Sequence, residues 1–326
     1  MKRRMVLGTA LALALMQSSS RILAADSKVL RLGWVTAQTQ ASLTPYIAAL
    51  RAALVQLGYV EGRNLQIEFR YGNDSEEKVP ELVEELERIP VDILLAQGTA
   101  VSIISQLPVS EPVAYVFSGD PVMAGFAQSL AHPGVNMTGL TFMAEELNGK
   151  RLEMLREMVP ALRDVAVVAN PEHPGSQLEH HYTDTAARRL GLRAHYFPAR
   201  TPTELTAALN AMAASPARAL SIFSDGFAVA NRRQIIDFAT TRKLPVMSGW
   251  PVFADSGALC TYGPRLVDSY ARLAWYVDRI AKGAKPADLP IERPTTFELV
   301  LNLKTAGAIG LTIPQSMLVR ADRLIQ

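Results

Sequence analysis

Twice along this chain, short apolar segments alternate with amphipathic helical ones in the same order and at nearly the same spacing. Leu57-Gly58 returns as Leu190-Gly191 and Pro112-Val113 as Pro245-Val246, each 133 positions on; Gly98 returns as Gly226, 128 on. Strands that alternate with helices must be joined by crossovers, which are right-handed and give parallel sheets. The pattern predicts an α/β protein of two lobes, each with a mainly parallel sheet. In such sheets ligands lie outside the carboxyl ends of the strands, so two facing lobes define one cleft.

The first passage places strands at residues 29–35, 65–71, 92–96 and 112–117. Helices are expected from Thr44-Pro45 to Gly58, over 75–88, and after Gln97-Gly98-Thr99-Ala100. The second places strands at 164–169, 193–197, 219–223 and 244–248. Its helices run over 178–190, from Thr201-Pro202, and over 232–242. Threonine before proline suits a helix start, because the side chain accepts a free amide and proline lacks one.

Residues 1–25 read as a cleaved export signal. Lys2, Arg3 and Arg4 precede an apolar run over 6–16 that is too short to span a bilayer, and Ala24-Ala25 offers a cleavage point. Arg3-Arg4 leaves both the general secretory and the twin-arginine routes open. The full chain carries +2, and loss of the four basic residues in this segment leaves −2. No basic run with interleaved aromatics remains, so nucleic acid is not an expected partner. The lone Cys260 has no internal disulfide partner and lies in an apolar run, as a buried inert thiol does.

Four features suggest cleft chemistry. Gln97-Gly98-Thr99-Ala100 presents helix-start amides to an anion such as a carboxylate. Asp120 and Asp225 stand at strand ends, where either suits an ammonium group. Trp34, Phe142, Trp250 and Tyr262 supply flat apolar walls, with Trp250 between Gly249 and Pro251 the better placed and Trp34 the more core-like. Asn170 at the Asn170-Pro171 turn gives and takes hydrogen bonds. Thr36 and Gln40, in the loop after the first strand, and Ser118, before Gly119-Asp120, complete the candidate binding set. His173, His180 and His181 do not have the spacing of a metal site, and no cofactor is expected. Signatures of serine hydrolases, zinc proteases, P-loops and dinucleotide binders are absent.

Long stretches carry a resemblance. Residues 57–65 (LGYVEGRNL), the segment from Gly119-Asp120-Pro121-Val122 through His132-Pro133-Gly134 to Gly139, and Tyr262-Gly263 followed by residues 282–290 (KGAKPADLP) resemble the ABC-transporter substrate-binding family. So does the run over 294–325. Characterised members of that family include tryptophan and tyrosine binders. The resemblance implies a type I periplasmic-binding architecture, two Rossmann-like lobes with mainly parallel sheets, joined by three hinge crossings near Gly139, Ser256 and Arg293. Lobe one would comprise 28–139 plus 257–292, and lobe two 140–256 plus 293–326. It also implies a periplasmic monomer that captures an aromatic or branched amino acid or a related carboxylate and hands it to an inner-membrane permease, without catalysis. A ligand-sensing module that presents its bound form to a membrane receptor is the alternative. Gly119 stands where family members often have serine, and the loop holding Gln40 and Ser42 varies among them, so that loop is expected to set specificity.

Overall fold

A computed structural model describes residues 29–173, 175–223 and 225–326; the export signal read over residues 1–25 lies outside them. Among the described residues twelve strands form two sheets. The first sheet holds β1 (Leu30–Thr36), β2 (Leu65–Tyr71), β3 (Ile93–Gln97), β4 (Val113–Phe117) and β5 (Met137–Thr141), in the order β2-β1-β3-β4-β5, all parallel. The second holds β6 (Asp164–Ala169), β7 (Arg193–Pro198), β8 (Leu220–Ile222), β9 (Val246–Ser248), β10 (Cys260–Pro264), β11 (Phe297–Asn302) and β12 (Arg323–Ile325). Its order is β12-β11-β10-β9-β8-β6-β7, and only the β10–β11 pair is antiparallel. The two mainly parallel sheets expected from the alternation are therefore present.

Burial explains why the strand segments read as unbroken apolar runs. Helices cover both faces of each sheet, so β3, β4 and β6 are buried at every position. The helices Gln40–Gln56 and Leu266–Ala281 pack together over one face of the first sheet and bury Leu43, Ile47, Leu50 and Leu54 against Tyr270, Leu273 and Val277. β5 lies so close to β4 that a Cβ on Gly139 would stand 2.0 Å from the Tyr115 carbonyl oxygen, at a φ of +151°. Only glycine fits that register.

Helix starts follow side-chain caps. Thr201 accepts from the Glu204 amide and Pro202 opens the turn, as read from the sequence. The first helix begins earlier than expected, at Gln40, because Thr39 caps it and not Thr44; Pro45 then sits inside the helix. The helix expected over 75–88 is shorter, Val79–Glu87. Asn73 and Asp74 adopt left-handed φ values of 54° and 66°, which turn the chain back over the end of β2 before any helix can form.

Three segments cross between the sheets. The first follows β5. The third lies between Glu292, which bridges to Leu140, and β11. The middle one corrects the expected boundary: β10 pairs with β9 and β11, so residues 257–264 belong with the second sheet. The chain crosses at Arg265, not near Ser256, and enters the first lobe as the helix Leu266–Ala281. The crossings are hydrogen-bonded to one another. The Glu292 amide donates to Gly139 O, the Thr141 amide to Glu292 O, and the Arg265 amide to Thr296 O.

Candidate functional site

The segments just past the carboxyl ends of β1 to β9 converge on one cavity of about 740 Å3. Each lobe contributes polar loop residues and aromatic walls. The lobes touch at its edge in two places. Phe142, after β5, meets Trp250, after β9, at 5.6 Å between ring centroids and an angle of 65°. Ser118, after β4, bonds His173, after β6, at 3.2 Å. The Gly175 amide donates to His173 Nδ1, so Nε2 carries the proton and donates to Ser118 Oγ. Burial pushes the imidazole down to about 4, which keeps this link neutral at physiological pH.

Of the residues read from the sequence, Gln97, Gly98, Thr99, Ser118, Asn170, Asp225 and Trp250 line the cavity, as does Phe142. Six candidates lie elsewhere. Thr36 is fully buried beneath the floor, where it accepts from Gln97 Nε2 at 2.7 Å. Ala100 is fully buried behind Thr99. Gln40 is an exposed first residue of its helix, and its place is taken by Gln38 and Ser42. Asp120 is a turn residue: Oδ1 accepts from the Val122 and Met123 amides at 2.8 and 3.2 Å, so its carboxylate faces its own backbone. Tyr262 stacks on Phe297 and packs with the core on the far side of the second sheet. Trp34 is wholly buried, stacked on Tyr270.

Gln97 is held from two sides. Its Nε2 donates to Thr36, and its Oε1 accepts from the Tyr270 hydroxyl. Tyr270 in turn stacks on Tyr46 at 4.9 Å. Burial raises the Tyr46 phenol to about 12 and the Tyr270 phenol well above its ordinary value, so both line the cavity as neutral groups.

Apart from Asp225, the residues that set the electrostatic character of the cavity were not singled out in the sequence. Asp74, Glu76 and Glu77 enter from the turn after β2, and Glu172, Glu204 and Asp225 from the second lobe. Among the described lining residues the sole cation is Arg200, and it is bonded to Glu204 and Glu172. Asp225 is buried. Its Oδ1 accepts from the Ala228 amide at 2.6 Å, and the backbone at Asn170 and Phe227 also favours its charged form. Burial nevertheless pushes its carboxyl up to about 7, helped by the negative charge of Glu76. Glu76 is likewise raised, first by desolvation and then by Glu172, while Thr99 lowers it. The loop expected to receive a ligand carboxylate therefore shares the cavity with one of the protein's own. The helix that follows, Thr99–Ile104, has six residues.

Among the described residues no group of histidine, cysteine and acidic side chains has the arrangement of a metal site, and no helix is long and apolar enough to cross a membrane. Cys260 is buried. Burial drives its thiol far above the ordinary range.

Comparison with known proteins gives a consistent picture. Residues 39–325 match the family described as ABC transporter substrate binding protein. A tyrosine-binding protein of Clostridioides difficile is 21% identical over 265 residues, covering 79% of this chain and 74% of its own length. Two solved structures superpose closely. A conserved domain protein from Vibrio cholerae has a TM-score of 0.84 at 22% identity, over 91% of this chain and 100% of its own. An ABC domain from Streptococcus pneumonia in complex with L-Trp has a TM-score of 0.83 at 21% identity, over 91% and 99%.

Proposed function

This chain belongs to the ABC transporter substrate-binding protein family, and from that premise we propose that it is the exported solute-capturing component of an importer. It takes a small organic solute with an amino group and an aromatic or branched apolar body. The observation that carries this reading is the convergence of nine strand ends from two lobes on one cavity with aromatic walls and acidic polar groups. A volume of about 740 Å3 falls within the range of small-molecule sites. The tryptophan-bound neighbour and the tyrosine-binding relative support an amino-group ligand with a ring.

The mode of action follows from the hinge. Three hydrogen-bonded crossings permit the lobes to open and close about Gly139, Arg265 and Glu292 with little change inside either sheet. A ligand that touches both lobes favours the closed form by its differential contacts. It is then passed unaltered to a membrane permease. Members of the family are substrate-binding proteins, and the serine at this cavity, Ser118, meets an imidazole that donates to it and so is not set to take its proton.

Thermal-shift screening of residues 26–326 against amino acids and amines tests the proposal. Saturable stabilisation by at least one such compound is expected. A broad panel without any saturable effect contradicts it.

A further inference from the structure

Resting on the capture reading, we infer that the site is built for a cationic amine without a carboxylate, seated between Glu76 of one lobe and Asp225 of the other. Its ring would lie against Trp250 and Phe142.

Three independent observations carry this. The first is the charge of the lining. Six acids and one arginine face the cavity, and the arginine is bonded to two of those acids. A ligand carboxylate would find no uncommitted cation among the described lining residues. It would also lie within reach of several like charges in a partly desolvated space, where such repulsion is strong.

The second is the loop after β3. The helix it opens, Thr99–Ile104, has six residues, so it offers a ligand carboxylate only a short run of free amides. The third is the placement of Glu76 and Asp225. They come from different lobes, Glu76 from the turn after β2 and Asp225 from the end of β8, and both line the cavity. The negative charge of Glu76 acts on Asp225. An ammonium between them makes charge-assisted contacts with both and draws the lobes together. Both carboxyls are raised above their ordinary range, chiefly because burial takes them from water.

The test is titration calorimetry of residues 26–326 with matched pairs: tryptamine against tryptophan, tyramine against tyrosine, and isoamylamine against leucine. In at least one pair the amine should bind roughly tenfold or more tightly than its amino acid, the scale expected for a charge pair. Glu76→Gln should weaken that amine by a similar factor and leave the amino acid unchanged or tighter; circular dichroism checks that the variant is folded. An amino acid that binds as tightly as its amine in every pair overturns the inference and leaves the capture reading intact. Binding of neither member of any pair overturns both. Because the wild-type comparison stands alone, the result does not depend on how the variant folds.

Discussion

Replacing Asp225 with asparagine should make the empty protein more stable and the binding protein worse. The carboxyl is raised from 3.8 to about 7 because the fold removes it from water and sets Glu76 nearby. Below pH about 4 it is protonated in both folded and unfolded chains and carries no penalty. Between 4 and 7 the folded chain holds a proton that the unfolded chain has released, so stability falls as pH rises. Above 7 the cost is constant. Three pH units at 1.36 kcal/mol each give about 4 kcal/mol. Asparagine keeps an oxygen for the Ala228 amide, which donates at 2.6 Å. Its new amide group needs a partner, which costs about 1 kcal/mol and leaves a gain of about 3. The assay is urea denaturation of wild type and Asp225→Asn between pH 4 and 8. His173 opposes the trend: burial lowers it to about 4, so its contribution is lost as pH falls below 6.5. The difference between the two proteins cancels that contribution. It should be near zero or slightly negative at pH 4 and favour the variant by about 3 kcal/mol at pH 8. Parallel pH profiles would refute the reasoning, because Asp225 would then be ionised without penalty.

Other outcomes follow from the same contacts. Trp250→Ala removes the wall that meets Phe142; it should lower stability by about 3 kcal/mol and ligand affinity by a factor of about 30, read by thermal denaturation and calorimetry. Ser118→Ala deletes the bond to His173 between the lobes, so affinity should fall roughly fivefold, about 1 kcal/mol, with the melting temperature nearly unchanged. Gly139→Ala places a methyl group 2.0 Å from the Tyr115 carbonyl; circular dichroism should show loss of the cooperative fold.

The lobes were legible because fully covered parallel strands produce continuous apolar runs, and β3, β4 and β6 are of that kind. Boundaries were less so. β10 was assigned to the wrong lobe because its antiparallel pairing with β11 leaves no mark in a run of apolar residues. At the cleft, Gln97, Asp225 and Trp250 were readable as strand-end residues. Asp120 was not distinguishable from them, since a strand-end aspartate serves a turn as readily as a ligand, and here its backbone claims it. The acids at 74–77 escaped notice because they resemble the solvated face of the helix that follows. The signal that separates them is Gly72-Asn73-Asp74, a triplet tolerant of left-handed backbone, which stops the strand and aims Glu76 inward. Tyr46 and Tyr270 were not singled out in the sequence; they sit on helices, pack with the core of the first lobe and also line the cavity.

Calorimetric titration of residues 26–326 with the amine and amino-acid pairs, followed by chromatographic recovery of the ligand, tests the central claim most directly. Saturable binding at one site per chain, weakened in Trp250→Ala and with the ligand recovered chemically unchanged, is the predicted result. Absence of saturable binding throughout the pairs, or recovery of an altered molecule, would contradict it.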